Sequence, residues 1–314
     1  MLKRGPILLL AGVALIGSGA MAEPARSESE PAPSGAGEGG WEQTYQTRLT
    51  WWSLQPLRDP AVPKDHEDWP RNDIDRFIRS ALASRGLRPA PEADRNTLAR
   101  RLSFALTGLP PSPETVAGFT TNSSPNAYEE FVQSLLASPH FGERWARHWL
   151  DVVHYADTHG YEWDAPAKNA WRYRDYIIRA FNQDLSIRQF LLEQIAGDLV
   201  EPRVDPASGL NESILGPMAL RLGERRHGDN ASVEGVTQEA MANVIDTLGK
   251  GFLATTVACA QCHDHKLDAL AQRDYYAMSG VFMSTRWSVR CADAIDPNLA
   301  ALEKLRALKQ RVGR

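Results

Sequence analysis

Apolar residues recur every three or four positions along most of the chain after Pro70, the period of helices that each bury one face. Asn72 can cap a helix carrying Ile74, Phe77, Ile78 and Leu82 that stops at Gly86. A second helix is predicted from about Asp94 to Leu106, before the break at Gly108, Pro110 and Pro111. Ser112-Pro113 opens a short helix with proline at its first position. Asn126 and Glu129 form a candidate capping box for Tyr128 to Ala137, and Pro139 starts a helix running to about Tyr155. Further helices are predicted over 171–183, 187–196, 236–253, 272–283 and 298–311, with Ser186 and Gln189 as a second candidate capping box. No repeat of fixed period is present. The expected fold is mainly α, an irregular multi-helix bundle.

The region before Pro70 reads differently. Pro56, Pro60, Pro63 and Pro70 punctuate it into extended chain, and Thr47 to Leu54 is the one predicted strand. Residues 23–40 hold no large apolar side chain and are rich in proline, glycine and serine, the composition of a flexible linker. Residues 1–22 fit a secretory signal peptide. Lys3 and Arg4 are followed by the apolar run Ile7 to Ile16 and by Ala20-Met21-Ala22 at the expected cleavage site. That run is too short to span a bilayer, and no later segment is long and apolar enough. The expectation is an exported chain, periplasmic or extracellular, without a membrane span once the signal is removed. The helical domain is expected over 41–314.

Composition narrows the classes. A formal charge of -4 leaves no basic footprint, so nucleic acid is not an expected partner. Three cysteines cannot build a disulfide framework, so packing must hold the domain together.

Two of those cysteines carry the sharpest chemical signal, Cys259-Ala260-Gln261-Cys262-His263. This is the pattern of covalent c-type haem attachment. Two thiols add across the haem vinyl groups, and the adjacent histidine is placed to ligate iron as the proximal ligand. Attachment happens outside the cytoplasm, which agrees with the signal peptide. Two other chemistries use the same residues. One is a zinc site drawn from Cys259, Cys262, His263 or His265, and Cys291. The other is a redox dithiol.

With haem bound, the sixth ligand decides between electron transfer and oxygen or peroxide chemistry. His148 lies among Phe141, Trp145, Trp149, Val152 and Tyr155 on one arc of its helix and is the first distal candidate. His227, in a polar loop before the helix that leads to the motif, is the reserve. Met278 and Met283 could supply sulfur or simply fill core, and Tyr275 and Tyr276 could pack on a ring or pack among helices. Asp151, Asp157, Glu162 and Asp164 are clustered, but with no fixed metal spacing they read first as a solvated helix end and loop. Trp171-Arg172-Tyr173-Arg174-Asp175-Tyr176 alternates aromatic and charged side chains, a pattern for stacking on a sugar or pairing haem propionates, or for ordinary neighbours on a helix.

Several blocks together resemble the planctomycete cytochrome c-like proteins, an exported family of unknown function. They include Trp69-Pro70-Arg71-Asn72, Leu106-Thr107-Gly108-Leu109-Pro110-Pro111 and the run from Gly142 to Asp151. They continue through Tyr155-Ala156-Asp157-Thr158, Trp171 to Tyr176, Glu193-Gln194-Ile195-Ala196-Gly197-Asp198-Leu199, Cys259 to Lys266 and Asp274-Tyr275-Tyr276. The likeness runs from about Trp52 to Trp287. It implies covalent haem and, because similar proteins are encoded near sulfatases and polysaccharide-degrading enzymes, a role in oxidative glycan breakdown. It places His148 and His265 inside motif blocks. Many relatives carry an extra cytochrome module before the block matching Trp52 and a second large domain afterwards. Leu267 and Ala269 stand where many relatives have phenylalanine and proline.

The expectation is therefore a monohaem c-type cytochrome domain that exchanges electrons with a redox partner protein. The alternatives are a zinc-stabilised or glycan-binding structural module, or a truncated product that needs a C-terminal partner.

Overall fold

The computed structural model describes residues 38–64, 69–160, 164–224, 233–285, 288–293 and 297–312. The signal-peptide reading, most of the linker, His227 and Glu162 lie outside the described residues. The described chain is mainly helical, as its periodicity predicts, and among the described residues there are isolated bridges but no strand.

The chain divides into two compact units. The first comprises 37–105 and 109–132. It opens with α1 (Glu38–Leu49), which corrects the predicted strand over 47–54: helix continues to Leu49, and a 3-10 turn covers Trp52–Leu54. The reason is local. The Thr44 and Thr47 hydroxyls each donate to the carbonyl four residues back, at 2.8 and 2.9 Å, and the Gln46 amide reaches Glu42 at 2.9 Å. These bonds supply threonine's strand-favouring side chain with helical partners, and among the described residues no neighbouring strand competes.

α2 (Asp73–Ser84) follows. The Asn72 side chain accepts from the Asp75 N–H, and the Asp75 carboxylate accepts from the Arg71 N–H at 2.9 Å. Gly86 takes φ +68°, the left-handed conformation that ends a helix, and Leu87 N–H closes back onto Leu82 at 2.9 Å. α3 (Arg95–Leu106) is capped by Asp94, which accepts from the Thr97 N–H and hydroxyl. Those bonds hold the Asp94 carboxyl below its ordinary pKa. α4 (Pro113–Thr121) starts under Ser112, and α5 (Ala127–Leu136) follows. Phe119 and Phe131 stack at 4.6 Å, with the Arg95 guanidinium over Phe119. The start of α5 is held by Glu130, which accepts from Ser124 and Asn122, where the sequence points to Asn126 and Glu129.

The second unit comprises 106–108 and 133–314 among its described residues. α6 (Pro139–Val152) packs on α7 (Ala170–Asn182). Gly142 makes this possible: a β-carbon there would sit 2.4 Å from the Ile178 carbonyl oxygen. Its N–H instead donates to Asn182 at 2.8 Å. α8 (Ile187–Ala196) lies against a 3-10 segment, Ser213–Arg221. Tyr173, Tyr176, Ile177, Phe190 and Leu215 form the main core. α9 (Val233–Leu253) leads to the cysteine motif, α10 (Gln272–Met283) follows it, and α11 (Leu299–Val312) is exposed along its whole length.

Candidate functional site

The motif sits where α9 ends. Ala254 takes φ +51°, the Thr255 N–H donates to the Gly249 carbonyl, and a 3-10 turn then covers Val257–Gln261. A 3-10 turn repeats every three residues, so positions three apart share a side. Val257 and Ala260 are buried against Ile245 and Tyr275. Cys259 and Cys262 are both exposed and free of any disulfide. The spacing thus puts two small apolar side chains inward and two thiols outward.

His263 is exposed, and its Nδ1 lies 2.8 Å from the Asp264 carbonyl oxygen. A carbonyl only accepts, so Nδ1 carries the hydrogen, which in the neutral ring leaves the lone pair on Nε2. The donor set fits covalent haem: two accessible thiols one turn apart, followed by an imidazole whose outer nitrogen is in the form that ligates a metal.

His265 has a different position. It is only 5% exposed, and its Nδ1 accepts the Leu267 and Asp268 N–H groups at 3.2 and 2.7 Å. Nε2 therefore carries the hydrogen and donates to Thr256 Oγ1 at 3.0 Å. The Asp268 carboxylate stands 3.4 Å from Nδ1. With both nitrogens engaged, His265 pins the loop after the motif. Cys291, the other cysteine of the zinc set, donates to Asp293 in a segment paired with Leu210 and Asn211. Among the described residues no group of three or more His, Cys, Asp or Glu side chains is arranged to hold a metal ion.

α10 closes over the motif. The Gln272 side-chain amide donates to the Gln261 carbonyl at 3.1 Å, and the Tyr276 hydroxyl donates to the same oxygen at 3.2 Å. The Gln272 N–H donates to the Asp264 carboxylate at 2.8 Å. Tyr275 is buried, and burial, then Tyr276 and Cys262, push its pKa up. Met278 packs in the core beside the motif, and Met283 is exposed.

His148 is exposed on α6 with its ring 5.3 Å from Trp145, so it does not share the burial of Trp149 on that face. Partial desolvation first, then Arg144 and Arg147 against the opposing Asp151, hold its pKa below the ordinary histidine value. The described contacts of His148 are with its own helix. In the stretch from Trp171 to Tyr176, Tyr173 and Tyr176 are fully buried, Arg174 pairs with Asp175 and Arg172 lies over the exposed Trp171. Both of these pairs join adjacent residues, not the three- and four-residue spacing of the helix-neighbour reading.

A second polar cluster, not foreseen from the sequence, lies in the core of the same unit. Glu193 and Glu212 are fully buried. Arg203 grips both Glu193 oxygens at 2.8 Å and reaches Glu212 at 2.7 Å, while Arg179 pairs with the other Glu212 oxygen. Tyr176 donates to Glu193 at 2.8 Å, and Gln189 donates to it at 3.0 Å. Trp149 donates to the Tyr173 hydroxyl at 2.9 Å, and Tyr173 donates to Gln194. Burial pushes the Glu193 carboxyl up, but the bonds from Arg203, Gln189 and Tyr176 outweigh it, so its pKa lies below the ordinary value. The available signal was Glu193 and Gln194 three and four residues after Phe190, polar residues in an apolar stripe.

No curated protein and no solved structure matches the sequence. A family model matches residues 73–287, which include α2 through α10 and the whole cysteine motif. The chain therefore belongs to the PSCyt2 family, described as a protein of unknown function (DUF1549).

Proposed function

We propose that this chain is an exported c-type cytochrome domain that carries one haem, held covalently by Cys259 and Cys262 and ligated by His263. The observation that carries this reading is the outward pair of thiols beside a histidine whose Nδ1 is occupied and whose Nε2 is open. Bound haem would supply one-electron chemistry at iron. The chain's own residues fix the Gln261 and Asp264 peptides against α10 and hold the His263 ring in its ligating form. His148 is the distal candidate within the described residues, since its lowered pKa favours the neutral imidazole that metal binding needs. The electrons serve a redox partner protein, and the resemblance to proteins encoded beside polysaccharide-degrading enzymes makes oxidative glycan breakdown the proposed setting.

The test is expression of the full chain in a host that attaches haem to exported proteins, followed by a pyridine haemochrome spectrum. The wild type should show a covalent band at one haem per chain, and the Cys259→Ala/Cys262→Ala variant should show none. A wild type without the band, carrying stoichiometric zinc instead, would overturn the reading. His148→Ala should alter the low-spin spectrum of the loaded protein, and an unchanged spectrum removes His148 as ligand.

A further inference from the structure

The loop after the motif joins His263 to α10 through one residue. The Asp264 main-chain carbonyl accepts the His263 Nδ1–H at 2.8 Å, and the Asp264 side chain accepts the N–H of Gln272, the first residue of α10, also at 2.8 Å. The Gln272 side chain turns back to the Gln261 carbonyl, and Asp274 caps the Ala271 N–H at 2.9 Å. On the other side of Asp264, buried His265 is fixed by Thr256, Leu267 and Asp268. The Asp264 peptide is therefore held from both directions, by its own side chain and by its neighbour.

We infer that Asp264 is a positioning residue for His263. Its carbonyl selects the ring form with hydrogen on Nδ1, and its carboxylate keeps that carbonyl in place by binding the start of α10. An exposed neutral imidazole with no such acceptor favours the hydrogen on Nε2, the nitrogen a metal needs free. The inference takes its purpose from the haem reading. Its geometry belongs to the chain alone and can be tested without cofactor.

The test uses the nitrogen-15-labelled full chain, expressed in a host without haem-attachment machinery and studied near pH 8, where an ordinary histidine is neutral. Two-bond proton–nitrogen correlation spectra identify which ring nitrogen carries the hydrogen. Wild-type His263 should be mainly in the Nδ1–H form, while His265 in the same sample should be in the Nε2–H form. Asp264→Ala should shift the His263 ratio toward Nε2–H by about two- to ten-fold, the scale set by one ordinary hydrogen bond. Asp264→Asn keeps an acceptor for the Gln272 N–H and should preserve the wild-type ratio. An unchanged His265 signal shows that the loop is still folded. If Asp264→Ala disturbs His265 as well, the wild-type and Asp264→Asn spectra decide. Wild-type His263 mainly in the Nε2–H form, an Asp264→Ala ratio equal to wild type in a folded loop, or an Asp264→Asn ratio shifted from wild type each overturns the inference. A missing haemochrome band in the wild type would overturn the proposed function and leave this result standing.

Discussion

Two polar clusters in the second unit use similar chemistry to opposite ends. Around Arg203, carboxylates, guanidiniums, tyrosine hydroxyls and amides are matched donor to acceptor, and Glu193 and Glu212 have no exposed surface. Around His263, the main chain is tied down just as thoroughly, yet two thiols and one ring nitrogen face outward. A saturated buried cluster has no valence left for a ligand, so its contribution is to stability and to a single arrangement of helices. An anchored loop with open donors has little to add to folding and much to offer a ligand. The difference is the ground for reading a structural role in one cluster and for proposing a ligand at the other.

The largest expected effect breaks the buried side of that comparison. Arg203→Ala leaves two carboxylates buried without their shared partner and should cost about 3–5 kcal/mol in denaturant unfolding. The same change should weaken a pH dependence. In the wild type the Glu193 pKa is depressed in the folded state, so its stabilisation is present above the ordinary value of 4.5 and is lost as pH falls through the lower folded value. Without Arg203, burial is opposed only by the bonds from Gln189 and Tyr176, so the folded pKa rises and the stability gained above pH 4.5 should shrink. Unfolding curves at a series of pH values check both slopes.

His265→Ala is intermediate. It leaves the Leu267 and Asp268 N–H groups without their acceptor and should cost about 1–3 kcal/mol, with faster amide hydrogen exchange confined to the loop after the motif. The smallest effect sharpens the other side. Cys259→Ala/Cys262→Ala in the cofactor-free chain changes only exposed atoms and should stay within about 0.5 kcal/mol of wild type, while abolishing haem attachment. A large loss of stability there would mean that the thiols belong to the core.

Elements set by neighbours in sequence could be read in advance. The Asn72 cap, the Gly86 stop and the Ser186 cap each depend on residues a few positions apart and are present. The cysteine motif is equally local. The strand expected over 47–54 was misread because threonine favours strands on average, whereas Thr44 and Thr47 here donate to helical carbonyls. The second candidate capping box is half formed, since the Gln189 side chain turns to Glu193. That departure points to what was hidden. The Arg203 cluster draws on α7, α8 and the segment from Arg203 to Ser213, which no periodicity places together. The exposure of His148 was hidden for the same reason, because a helical wheel shows which residues share an arc but not where the next helix covers it.

The inward placement of Val257 and Ala260 has a consequence for how the turn tolerates change. The apolar contacts of the 3-10 turn are made by Val257 and Ala260, with Ile245 and Tyr275. The core side of the turn and its reactive side are thus separate, and a change at the outward Cys259 and Cys262 need not disturb the packing of Val257 and Ala260. Under the proposed function, haem attachment would then be a modification of the outward side alone.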